Sequence, residues 1–182
     1  GLRINGQSGN GGHPPGGPHR GRHVEELTGT EIDVKALVEA EDSTFQYGNM
    51  TSVAISPDST TLPPHSRPGS NDAGRVALFT CEEDGSLTLE ALVETGQPDM
   101  VTFAGDSVVL TADEGEPREG YGEDIADPKG SVTVVDVEAR EHRVDFSAFD
   151  SQRDQLAEDG IVLKKGSAPS VDLEPEYIAV SG

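Results

Sequence analysis

Seven carboxylates fall within residues 111–130, TADEGEPREGYGEDIADPKG: Asp113, Glu114, Glu116, Glu119, Glu123, Asp124 and Asp127. Calcium takes about six to eight oxygen ligands from carboxylates, carbonyls and water on a flexible loop, and this stretch offers several. Gly115 and Pro117 fall where an EF-hand loop needs ligands, so that spacing does not apply. A second acidic set is Asp99, Glu174 and Glu176, which stand before or at the start of two similar stretches, PDMVTFAGD (98–106) and PEYIAVSG (175–182). Carboxylates drawn together from separate stretches repel one another unless a cation or a proton holds them. The segments EGEP (114–117) and LEPE (173–176) share a Glu-Pro step, where proline restricts the residue before it. The expected metal ligands are therefore Asp99, Glu114, Glu116, Glu174 and Glu176, with Ca2+ as the cofactor.

The competing reading is an acidic surface with no ligand. The chain carries 34 acidic and 13 basic residues, a net charge of -21, so acidic clusters arise without any site. Such an excess repels nucleic acid and anionic membrane surfaces, which excludes both as partners. Many carboxylates and only four lysines (Lys35, Lys129, Lys164, Lys165) fit a protein of high-salt surroundings, where screening removes the self-repulsion. Other chemistries find little support. The single cysteine, Cys81, forms no intramolecular disulfide and has no nearby His or Arg in sequence to activate it. There is no G-x-S-x-G, H-E-x-x-H or P-loop, and His142 in EAREHRVDF reads as an exposed strand residue. No apolar run approaches the ~18 residues of a membrane-spanning helix.

The elements that must position these groups are short strands. Candidates are residues 51–56, 75–80, 87–92, 99–104, 107–112, 131–137 and 176–181, rich in β-branched residues and bounded by Gly, Pro, Asp or Ser. One helix is expected over 147–160, SAFDSQRDQLAEDG, with Ser147 as N-cap and Gly160 as stop. Residues 1–24 hold eight Gly, three Pro and no acid, the composition of a disordered tail, and their His13, His19 and His23 belong to it. Residues 25–48 read as a linker or irregular lead-in. Pro63, Pro64 and Pro68 in STTLPPHSRPGSNDA (59–73) remove ladder donors, so no regular inner strand is expected there.

MTSVAISPD (50–58), PDMVTFAGD and PEYIAVSG repeat one pattern: a polar or acidic residue, a mostly apolar strand and a small-residue turn. A unit of ~40–50 residues with about four strands has the spacing of a β-propeller blade. The expected fold is mainly β: a partial β-propeller over 49–182, about two blades plus the first strand of a third, with one short helix. Blades bury their faces against neighbours, so the expected partners are other blades of a longer chain.

Several ordered motifs carry a resemblance: GRVALF (74–79), GQPDMVTF (96–103), TADEGEPREG (111–120), DPKGSVTVVDV (127–137), VDFSAFD (144–150) and VDLEPEYIAVS (171–181). Together they resemble the choice-of-anchor I family, alkaline-phosphatase-like propeller proteins of the cell surface or exterior. The resemblance implies an extracellular or cell-surface binding or scaffold domain, with metal-dependent phosphoesterase activity as the alternative. The sequon NMT (49–51) agrees with a surface location.

Overall fold

The computed structural model describes residues 2–5, 29–56, 61–62, 64–65, 73–116, 128–136 and 138–181. Within the Gly/Pro-rich tail, β1 (Leu2–Asn5) pairs antiparallel with β2 (Gly29–Ile32); the three tail histidines lie outside the described residues. Asp33 then caps α1 (Val34–Glu41), its carboxylate accepting the Ala36 N–H at 3.1 Å. Val34 and Val38 lie one turn apart on the helix face, are buried, and pack with Phe45, Ala77, Phe79 and Leu87. The segment read as a lead-in thus contributes part of a core.

The first large sheet contains β3 (Ala54–Ile55), β4 (Thr61–Leu62), β5 (Pro64–His65), β6 (Arg75–Cys81) and β7 (Leu87–Glu94). One edge of β6 pairs with β7, and the other with both β4 and β5. These two short pieces keep one register: Thr61 is opposite Phe79, Pro64 opposite Val76 and His65 opposite Arg75. The two pieces lie in line along one edge of β6. The expectation that the prolines leave no inner strand is corrected at Pro64, which pairs with Val76 of β6, because a proline costs only the one N–H it lacks; Pro63 and Pro68 lie outside the described residues. β3 pairs beyond β4.

The second sheet is a four-stranded antiparallel meander, β8 (Pro98–Ala104), β9 (Val108–Asp113), β10 (Ser131–Asp136) and β11 (Glu141–Asp145), in chain order. Side chains alternate across β6. Ala77 and Phe79 face α1, while Val76 and Leu78 join Val93, Val101, Val109 and Val135 between the two sheets. The first sheet is therefore sandwiched between helix and second sheet. β3 lies against β8, where the Thr51 hydroxyl donates to the Pro98 carbonyl at 3.0 Å and the Val101 N–H reaches the Ser52 hydroxyl at 3.4 Å. The first two copies of the repeat thus touch each other.

The helix expected over 147–160 appears as a 3-10 turn (Ser147–Gln152) running into α2 (Arg153–Glu158), with Gly160 at φ 96 closing it. Ser147 is not the N-cap: Phe146 holds that position, and the Asp145 carboxylate accepts both the Ser147 N–H and its hydroxyl. α3 (Pro169–Asp172) is tied back by Asp150, which accepts the Ser170 N–H at 2.8 Å and hydroxyl at 2.9 Å. The expected strand over 176–181 does not form. A strand exists only with a ladder partner, and among the described residues none reaches this segment; Tyr177 is 78% exposed.

Candidate functional site

Register decides what shares the inner face of the second sheet, because directly opposed residues of antiparallel strands point the same way. One row is Phe103, Val109, Val135 and Glu141. The next is Val101, Thr111, Thr133 and Arg143, and the last is Pro98, Asp113, Ser131 and Asp145. Along this face valines give way to hydroxyls and then to a carboxylate. Thr111, Thr133 and Asp113 are fully buried, and Ser131 nearly so.

Asp113 is the centre of this polar end. Its Oδ1 accepts the Thr111 hydroxyl at 2.8 Å; its Oδ2 accepts those of Ser131 at 2.8 Å and Thr133 at 2.6 Å. Burial pushes the carboxyl above the ordinary Asp value, while the three hydroxyls and the charge of Arg143 pull the other way. Room for the carboxylate comes from the turn between β7 and β8, where Gly96 lies against it: a Cβ on Gly96 would be 2.6 Å from the Asp113 Cβ. Asp113 is thus a strand residue with both oxygens occupied, unlike the loop ligand its sequence neighbours imply.

A cavity of about 270 Å³ opens beside the cage, lined by Ala73, Gly96, Gln97, Pro128, Lys129, Ser131, Arg143 and Asp145. Lys129 donates to the Ser147 hydroxyl at 2.7 Å. The Ser147 N–H and hydroxyl hold the Asp145 carboxyl below its usual range. The Arg143 guanidinium makes no hydrogen bond or ion pair among the described residues, and its charge reaches Asp113.

The structure places the five expected metal ligands on β8, directly after β9 and in segment 174–176. Asp99 is the extra residue of a bulge in β8, between Pro98 opposite Asp113 and Met100 opposite Ala112. Glu114 and Glu116 follow β9 and are half-buried, the Glu114 N–H donating to the Gln97 carbonyl at 2.9 Å. A Cβ on Gly115 would be 2.8 Å from the Gly130 nitrogen, and one on Gly130 would meet the Leu173 carbonyl and Pro175. Segments 114–116, 129–130 and 173–175 therefore run side by side, which brings half-buried Glu174 near the base of the acidic loop; Glu176 is exposed. Among the described residues, no three His, Cys, Asp or Glu side chains are grouped to hold one metal ion. Glu119, Glu123, Asp124 and Asp127 lie outside the described residues. His142 is exposed on β11, as its sequence context implied.

Sequence reasoning passed over Thr111, Ser131, Thr133, Lys129, Arg143 and Gly96. The available signal was polar residues at alternate positions of otherwise apolar strands, Thr111 and Asp113 in VVLTAD and Ser131 and Thr133 in SVTVVD, which places them on the core face. Among the described residues, no helix is long and apolar enough to cross a membrane. No curated protein and no solved structure matches the chain. The family model of the choice-of-anchor I domain matches residues 21–182, nearly the whole sequence and including α1, so the chain belongs to the choice-of-anchor I domain family.

Proposed function

We propose that this chain is part of an extracellular or cell-surface β-propeller that serves as a binding or scaffold domain. A choice-of-anchor I domain is a surface-associated domain. The observation that carries the propeller is the tandem of two antiparallel meanders packed face to face, their first strands β3 and β8 side by side. Successive blades of a propeller meet in this way. The outer face of the second sheet supports the same reading: Leu110, Val132, Val134 and Val144 alternate onto it, and Val144 is 48% exposed. A further blade of a longer chain would cover it.

Calcium belongs to this reading as the counter-ion of Asp99, Glu114, Glu116, Glu174 and Glu176, supported by the adjacency of segments 114–116 and 173–175. Its ligand set would have to be completed by the loop carboxylates. The rival is a metal-dependent phosphoesterase, and one experiment separates them: p-nitrophenyl phosphate turnover and melting temperature, each measured with calcium and with chelator. The binding reading expects a calcium-dependent rise in melting temperature that shrinks in Glu114→Gln and Glu174→Gln, without turnover. Chelator-sensitive turnover lost in Glu174→Gln would overturn it.

A further inference from the structure

We infer that the cavity beside the Asp113 cage binds a small carboxylate bearing its own hydrogen-bond donor, such as an amino or hydroxy acid. The cavity is walled by Ala73, just before β6, by Gly96 in the turn from β7 to β8, and by the second sheet at Ser131, Arg143 and Asp145. Its groups divide by what they still offer. Arg143 has its guanidinium fork free of hydrogen bonds among the described residues, and Lys129 spends one of its three N–H donors on Ser147. Both serve a carboxylate, the fork in two-point fashion. Ser131 turns its only hydroxyl hydrogen to Asp113, so toward the cavity its oxygen can only accept. Asp145 likewise accepts only. Two donors facing two acceptors in one cavity match a ligand with a carboxylate at one end and an ammonium or hydroxyl at the other.

Local charge narrows the ligand further. Asp145 and Asp113 stand beside the two cations, so a phosphate dianion meets repulsion that a carboxylate of charge -1, or a zwitterion, largely escapes. The volume of about 270 Å³ suits a small molecule. The lining comes from the second sheet and the segments that join the strands, so the site stands whether or not the sheets belong to a closed ring.

The test is titration of the full chain with glycine, glycolate, acetate and inorganic phosphate, followed by calorimetry and by NMR of the arginine side-chain N–H signals. Saturable binding of glycine or glycolate is expected, weakened about tenfold for acetate, consistent with about 1.4 kcal/mol for a lost charge-assisted hydrogen bond. Arg143→Gln should reduce affinity at least tenfold and Lys129→Gln severalfold. Arg140→Gln, which changes a guanidinium paired with Asp136 and Glu138 on the neighbouring turn, should leave it unchanged. Absence of saturable binding, or equal loss in Arg140→Gln, overturns the proposal; tighter binding of phosphate than of either carboxylate overturns the ligand class. Both arginine variants alter exposed side chains, so circular dichroism confirms that each is folded. A calcium-free failure of binding here leaves the propeller reading untouched, and the reverse also holds.

Discussion

Gly96 and Asp113 occupy each other's space: the carboxylate lies where the Gly96 side chain would begin, with the Asp113 Cγ 2.8 Å from that position. The turn between β7 and β8 lacks a side chain there, so that the second sheet can bury a charge-bearing one. Replacing Gly96 with Ala forces the two together. The expected cost is about 1–3 kcal/mol, the usual range for overpacking, read as a lower urea midpoint with unchanged slope.

Asp113 itself should separate two variants. Asp113→Ala leaves the hydroxyls of Thr111, Ser131 and Thr133 without their acceptor, at a cost of about 1–3 kcal/mol or more. Asp113→Asn keeps an acceptor and the shape, and should cost less. The Ala variant proving as stable as the Asn variant would mean that the hydroxyls find other acceptors.

The same pair carries a pH signature. Burial raises the Asp113 carboxyl in the folded chain above its value of 3.8 in the unfolded one. A raised folded value means that the folded state holds the proton more tightly, so this contribution is fully present below 3.8 and is lost as pH rises through the folded value. Wild type should therefore lose stability relative to Asp113→Asn as pH rises from below 4 toward neutrality. Urea midpoints of both proteins across that range test this, and the difference cancels the chain's other carboxylates.

Gly130 lies under the Leu173 carbonyl and the Pro175 ring, and its N–H donates to the Ser170 carbonyl at 3.2 Å. Gly130→Ala should displace residues 173–175. Hydrogen exchange is expected to quicken at Leu173, whose N–H bonds the Pro169 carbonyl, and in α3, with β6 and β7 unchanged.

Val38 is fully buried where α1 meets the first sheet. Val38→Ala removes two methyl groups and leaves a void, so about 1.5–3 kcal/mol should be lost. Asp33→Ala, which removes the cap, should cost about 1 kcal/mol. If both variants melt with wild type, α1 is docked less firmly than its burial indicates.

The long strands were legible because β-branched residues between Gly, Asp and Ser leave few other conformations; residues 75–81, 87–94, 98–104, 108–113 and 131–136 fall within a residue or two of expectation. α1 was legible in principle, since Asp33 followed by Val34, Leu37 and Val38 is a cap and a helical stripe. It was obscured because the acidic composition of residues 25–48 resembles a linker. The expected strand at 176–181 failed for a nonlocal reason: pairing needs a second strand, which no propensity encodes. The site was only half legible. Alternation shows which residues face inward, but that Arg143 falls in the row of Thr111 and Thr133 follows from strand register, set by turns whose geometry the residues themselves do not declare.

The inner face of the second sheet is graded from Val109 and Val135 to Asp113 and Ser131, and Gly74 and Gly96 mark the polar end of the sheet opposite. A purely apolar interface could slide by a pair of residues at little cost. Here such a slip would set the carboxylate and its hydroxyl cage against Val76 or Val93, driving a charge-bearing group into a methyl-lined gap. The buried acid and the missing side chain thus work as a lock and keyway that admits one alignment of the two sheets and rejects its neighbours.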